Sequence, residues 1–241
     1  MDGQEKHKFP PIIELNVGGR FFTTTHLTLT KCPDNMLSAM FSGKYSVIRD
    51  KDGRYFIDAD GDNFIHILNY LRYGDIPSQR IAEAVYREAT YFGIHGLVDE
   101  LEKYPQILAK IQRNNYRNQF PGFGDCLDTV INVSSQTASS ETTEVILLLY
   151  KKENEPNNED FNLNHVCLCK HPHSDRNSTF DAKLGPWKAE SCEKDVLNCL
   201  MFDLTSQGFV VTAKALGQCK YGHEDEKCAK MFFSLCFYWW K

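Results

Sequence analysis

The sequence predicts an α+β chain of two domains, and three observations support this. A period-two hairpin near the start is followed by several stretches of helical periodicity within about 90 residues. A run rich in Asn, Gly and Pro, "RNNYRNQFPGFGD", then interrupts the pattern and marks a boundary. Beyond it, strand-like runs surround one long helical stretch, as in an antiparallel sheet with helices segregated to it. Of the 241 residues, 42% are hydrophobic and 24% charged, which is enough apolar material for real cores. The expected organisation is an N-terminal domain over residues 12–104, a helical linker over 105–124, and a smaller, mostly antiparallel α+β domain over 125–241.

The hairpin is "IIELNVGGRFFTTT", Ile12 to Thr25. Ile13, Leu15 and Val17 alternate with Glu14 and Asn16, so one face is apolar. Gly18-Gly19 separates this run from Arg20 to Thr25, which is again aromatic or β-branched. A two-residue glycine loop between such runs predicts a tight turn, because glycine reaches positive φ at no steric cost. Next, Asp34 or Asn35 can cap a short helix with an apolar stripe of Met36, Leu37, Met40 and Phe41, ended by Gly43. Asp52-Gly53 predicts a turn before a strand at Arg54 to Ile57.

The clearest helix carries Phe64, Ile67, Leu68 and Leu71 at i, i+3, i+4 and i+7, with Gly74 as its stop. Pro77-Ser78 predicts the opening of another, with Ile81, Val85, Ala89 and Phe92 on one face and Glu83 paired to Arg87. Gly93 and Gly96 frame a break before Leu97, Val98 and Leu101. Pro105 ends or restarts that helix, and residues 106–120 read as a polar helix that frays. In the second half, "DTVINVSS" and "TTEVILLLYKK" read as strands around a Ser/Thr turn, "ENEPNNED" as a loop and "NHVCLC" as a short strand. The stretch "SCEKDVLNCLMFDLTSQG" reads as a helix with Val196, Leu197, Leu200 and Leu204 inward. "FVVTAKAL" and "KMFFSLCFYWWK" read as closing strands.

Charge and cysteine usage exclude some partners. Residues 1–120 carry 15 Lys+Arg and 15 Asp+Glu, whereas 121–241 carry 12 and 17, which accounts for the whole net charge of −5. A surface of that sign does not suit nucleic acid. The N-terminal "MDGQEKHKFPP" has no apolar core of a secretory signal. The longest apolar run, Val145 to Tyr150, is too short to insert into a bilayer. Nine cysteines, eight of them from Cys126 onward, are expected as free thiols in a reducing cytosol.

Four stretches stand in a familiar order: "LNVGGRFF" (Leu15–Phe22), "MLSAMFSG" (Met36–Gly43), "GRYFIDADGDNFIHILNYLRYGDI" (Gly53–Ile76) and "EATYFGIHGL" (Glu88–Leu97). Together they resemble the BTB/POZ domain of the potassium-channel-tetramerisation type found in the KCTD family. The resemblance covers residues 12–103. It implies a BTB/POZ (T1-type) fold whose first hairpin is closed by the glycine pair. It also implies a homo-oligomeric ring, often of five, in the cytosol. No channel segment follows the domain, so the soluble branch of the family is the expectation. Residues 125–241 are read as similar to the C-terminal β-rich domain of some members.

Many members grip cullin-3 with the BTB domain while the other domain recruits a substrate protein for ubiquitylation. Others do not bind cullin, which leaves the alternative of an oligomeric scaffold or regulator of a membrane receptor or channel. In cullin binders an aromatic residue in the loop matching "EATYFGIHG" enters the cullin's helical groove. Carried over by motif, that residue is Tyr91, with Phe92 turned to the core. Gly93 and Ile94 shape the same loop, and Tyr45 is a second contact. Some cullin binders have Phe where this chain has Tyr91, and the bland reading is that Tyr91 merely covers the helix end.

Other candidate sites yield to simpler explanations. "DADGD" (Asp58–Asp62) has its glycine too early for a calcium loop, and position twelve is Asn69. A helix cap by Asp60 or Asp62 is the better reading. Cys167, Cys169, His171 and His173 alternate in "CLCKHPH". On one strand they would stand in a row, whereas zinc asks for ligands that converge. "CKYGHEDEKC" (Cys219–Cys228) stays open as a cysteine pair or metal site in a charged loop. Channel relatives that bind zinc in the N-terminal domain use paired cysteines, and Cys32 stands alone there. No nucleophile elbow, H-E-x-x-H or P-loop occurs, so no catalytic residue is assigned. The expectation is no enzyme, no cofactor, no disulfide and no stoichiometric metal.

Overall fold

The computed structural model divides between Gln112 and Arg113, and each part has a main apolar core among the described residues. It describes residues 9–136, 141–154, 165, 167, 180–219, 221–223 and 226–240. The fold is α+β in both parts.

In the first unit, β1 (Ile12–Val17) and β2 (Arg20–Thr25) pair antiparallel, with Val17 opposite Arg20 across the glycine turn. Strand β3 (Tyr55–Ile57) adds in parallel on the other side of β1, giving the order β2-β1-β3. Ile13, Leu15 and Val17 are fully buried, as the alternation requires. Helices α1 (His26–Leu29) and α2 (Met36–Met40) lie between β2 and β3. Asn35 caps α2 by accepting the Ser38 N–H at 2.8 Å.

Helix α3 (Gly61–Tyr73) starts at Asp60, whose side chain accepts the Asp62 N–H, and stops at a left-handed Gly74. "DADGD" is therefore a helix cap, and Asp62 pairs with Arg20. Helix α4 (Ala82–Phe92) begins later than Pro77-Ser78 suggests, after a turn over residues 79–81. Its Glu83 is bonded to Lys110 at 2.5 Å, a tertiary partner in place of the expected Arg87. Helix α5 (His95–Glu102) contains Gly96 instead of starting after it. Helix α6 (Pro105–Arg117) takes Pro105 at its first position, where the missing N–H costs nothing.

The second unit holds helix α7 (Phe123–Gln136), strands β4 (Thr142–Lys151) and β5 (Ala182–Trp187), helix α8 (Glu193–Ser206) and strands β6 (Val211–Gln218), β7 (Gly222–His223), β8 (Glu226–Lys227) and β9 (Met231–Tyr238). The main sheet runs β5-β4-β9-β6, antiparallel except for the β4–β5 pair. "DTVINVSS" is helix and not strand, a correction to the sequence reading. Phe123, Cys126, Val130 and Ser134 are buried at helical spacing, so burial of one stripe overrides the β-propensity of Thr, Val and Ile. Helices α7 and α8 pack on one face of the sheet, α7 against β4 and β5 and α8 against β4 and β6. Leu147, Leu149, Phe233 and Leu235 point into that core. Leu148, Tyr150 and Phe232, one residue out of step, point to the opposite face and are buried there by a second, smaller cluster.

Candidate functional site

Helix α4 fixes the candidate docking aromatic. Val85, Ala89 and Phe92 occupy its buried stripe, so Tyr91 is turned outward and is 55% exposed. Its ring rests edge-on against Phe92 at 5.1 Å between centroids, and Phe92 packs in turn on Phe64 at 5.4 Å. The anchor is thus an exposed phenol on a rigid aromatic base. Gly93 ends α4 with φ +69°, and the Ile94 N–H donates back to the Ala89 carbonyl at 2.9 Å. That is a Schellman-type stop, and Ile94 supplies its hydrophobic contact. Ile94 is 1% exposed, so it shapes the loop from beneath and offers no side chain to a partner.

A Cβ on Gly93 would lie 3.8 Å from the Cα of Asn35, so the loop after α4 passes close to the cap of α2. Asn35 also lines an open groove of about 780 Å³ with Pro33, Met36, Ser38, Phe41 and Tyr45. Tyr45 is 61% exposed and separates this groove from a more apolar one beside Met40, Val47 and Ile48. Gly93 and Tyr45 therefore border one surface of the first unit beside the start of α2, and Tyr91 stands exposed in the last turn of α4 before Gly93. Met36 and Ile48 belong to it as well. Sequence reasoning placed Met36 on a core stripe and passed over Ile48. The run "YSVIRD" between two turn signals was the available hint.

A second constellation lies in the other unit. The donor atoms of His165, Cys167, Cys219 and Cys228 all fall within 4.8 Å of one another. Cys167 Sγ is 3.4 Å from His165 Nε2 and 3.9 Å from Cys228 Sγ, and Cys219 Sγ is 3.8 Å from His165 Nε2. All three cysteines are buried. The hydrogen bond from Cys167 holds the Cys228 thiol well below its usual range, and the same pairing, with burial, pushes Cys167 up. Along the chain Cys167 alternates with Cys169, His171 and His173, which lie outside the described residues. In space its partners come from the Cys219–Cys228 segment, folded back on itself by the β7–β8 hairpin.

The fold defines a two-domain α+β chain, each part with its own apolar core. The family profile described as BTB/POZ domain matches residues 13–101, and that described as KCTD C-terminal domain matches residues 111–239. The human BTB/POZ domain-containing protein KCTD14 is 33% identical over 231 residues, 95% of this chain and 87% of the relative. The human BTB/POZ domain-containing protein KCTD21 is 42% identical over 109 residues, 44% of this chain and 42% of that protein. The FH protein interacting protein FIP2 of Arabidopsis thaliana is 46% identical over 105 residues, 42% of this chain and 35% of that protein. The chain belongs to the KCTD family of BTB/POZ domain proteins. Among the described residues, no helix is long and apolar enough to cross a membrane.

Proposed function

We propose that this chain is a non-enzymatic, homo-oligomeric adaptor that docks cullin-3 through its BTB domain and recruits a substrate protein for ubiquitylation through its C-terminal domain. The observation that supports this reading best is Tyr91, an outward aromatic packed on Phe92 just before the Gly93 turn that passes Asn35. An aromatic anchor presented on a rigid base loses little entropy on docking, which is the property of an interface hot spot. Tyr45 and Ile48 extend the apolar area that a helical partner would cover.

Calorimetry with the cullin-3 N-terminal domain tests the assignment. Tyr91→Ala is expected to weaken binding at least tenfold, about 1.4 kcal/mol, with the oligomeric state intact. Tyr45→Ala is expected to weaken it less. Equal affinity of wild type and Tyr91→Ala would remove the site. No binding by the wild type would remove the adaptor reading and favour a cullin-independent scaffold or regulator of a membrane receptor or channel. The phenol at position 91 favours that second reading, because its hydroxyl must be desolvated or paired inside an apolar groove. Proximity labelling in cells would identify the substrate.

A further inference from the structure

We infer that His165, Cys167, Cys219 and Cys228 form a structural zinc site, a closed tetrahedral set of one imidazole and three thiolates. The spacing carries the inference. Ligands held about 2.3 Å (sulfur) and about 2.0 Å (nitrogen) from a tetrahedral ion lie roughly 3.8 Å apart for two sulfurs and roughly 3.5 Å for sulfur and nitrogen. Three of the six edges are 3.9 Å for Cys167–Cys228, 3.4 Å for Cys167–His165 and 3.8 Å for Cys219–His165, and every edge lies within 4.8 Å, so a small contraction brings the set to a tetrahedral ion. Thiols packed only as small apolar groups have no reason to converge on one centre with an imidazole nitrogen among them.

The surroundings fit a metal with a structural role. The site sits on the sheet face away from α7 and α8, in the cluster that buries Leu148, Tyr150 and Phe232. It draws on two separate chain segments. His165 and Cys167 lie between β4 and β5, while Cys219 and Cys228 stand at the base of the β7–β8 hairpin, with the Cys219 N–H donating to the Lys230 carbonyl at 2.9 Å and the Cys228 N–H to the Tyr221 carbonyl at 3.1 Å. The Tyr221 ring lies flat on His165 at 4.1 Å, which fixes the imidazole plane. The backbone N–H of Lys230 donates to Cys228 Sγ, the kind of outer bond that steadies a ligating thiolate. Four protein ligands leave no open position for substrate, so the ion holds the two segments over the sheet and performs no chemistry. Soft thiolates with one imidazole select zinc over calcium or magnesium. On binding, each coordinating thiol that is still protonated releases its proton to solvent.

The test uses the full chain purified without chelator. Elemental analysis should find about one zinc per chain, and cobalt(II) exchanged into the stripped protein should give the intense sulfur-to-metal and d–d bands of a tetrahedral thiolate site. Cys228→Ser should lower zinc retention against a competing chelator at least tenfold, whereas Cys236→Ser, a cysteine outside the cluster, should retain it. If Cys228→Ser does not fold, the wild-type cobalt spectrum decides. Wild type holding less than about a tenth of a zinc per chain, with no cobalt bands, would overturn the site. So would non-reducing peptide mapping that found Cys167 and Cys228 joined as a disulfide.

Discussion

Gly18 shows how one residue can be fixed by a neighbour far along the chain. It sits at φ +54°, and its N–H donates to the Ile57 carbonyl at 3.1 Å. A Cβ there would meet the Ala59 carbonyl oxygen at 2.2 Å, a backbone atom that cannot swing aside. Gly19 also has positive φ, at +92°, but a Cβ on it would meet nothing within 4 Å. The two glycines of one turn thus answer different demands: Gly19 serves the turn alone, and Gly18 serves both the turn and the approach of the segment that leads into α3. Gly18→Ala should therefore destabilise the first unit by roughly 3 kcal/mol, from backbone strain and displacement of Ala59 together, and Gly19→Ala by about 1 kcal/mol. Urea denaturation midpoints of the two variants measure the contrast. Equal losses would show that turn strain alone explains both glycines. The hairpin itself was legible in the sequence because alternation and glycine are local signals. The clash that singles out Gly18 was not, since it depends on residue 59.

At the scale of elements, the same division between local and distant signals recurs. Helix α3 is legible in its stripe and its Gly74 stop, with Asp60 one of two candidate caps, because capping and stripe are written within 15 residues. Helix α7 was misread as strand because its stretch is rich in Val, Ile and Thr, whose preference yields when one helical stripe is buried. Strand β5 passed unnoticed because Gly185-Pro186 reads as a chain breaker, although proline is tolerated on the edge of the sheet where β5 lies. The cysteine cluster was half legible. Cys219 and Cys228 were seen together, but a hairpin and a second segment were needed to add His165 and Cys167. Contacts between elements can be tested in the same unit. Arg117 at the end of α6 donates from Nε to Asp203 of α8 at 2.7 Å, with a second bond from its Nη2 to the other carboxylate oxygen. Asp203 also raises the pKa of the guanidinium through this hydrogen bond. The side chains are only 22% and 10% exposed, so neither charge is well solvated if the other is lost. Asp203→Asn should cost about 2–4 kcal/mol, whereas replacing both residues with apolar ones of similar volume should cost much less. Thermal denaturation of the single and double variants gives the comparison, and an equal or greater loss in the double variant would show that the pair itself is a net source of stability.

At the scale of the whole molecule, the first unit leaves apolar side chains in water at the two ends of one hairpin. Ile12 and Leu27, 62% and 79% exposed, flank the end where Ile12 pairs with Thr25. Tyr73, 73% exposed, follows Arg72, which is bonded to the Thr23 carbonyl on the same edge strand. Phe21, 61% exposed, lies toward the turn end of that strand, with the Arg54 guanidinium 4.3 Å over its ring. Single exposed apolar residues need no explanation. Two separate groups, one at each end of the hairpin and the second bearing a cation, are a different matter. A heterologous ring joins one patch of each subunit to a different patch of the next, and closure covers both on every copy. The KCTD membership makes such a ring the expected state, with five subunits the predicted number. Light scattering on the full chain should return a single closed species of about five chains at micromolar concentration, and residues 1–104 should form the same ring. Leu27→Arg should dissociate it while leaving far-ultraviolet circular dichroism unchanged, because Leu27 contributes little to the core. A monomeric full chain and a monomeric fragment would end the ring prediction. An intact ring in Leu27→Arg would keep assembly and move the interface away from this end of the hairpin.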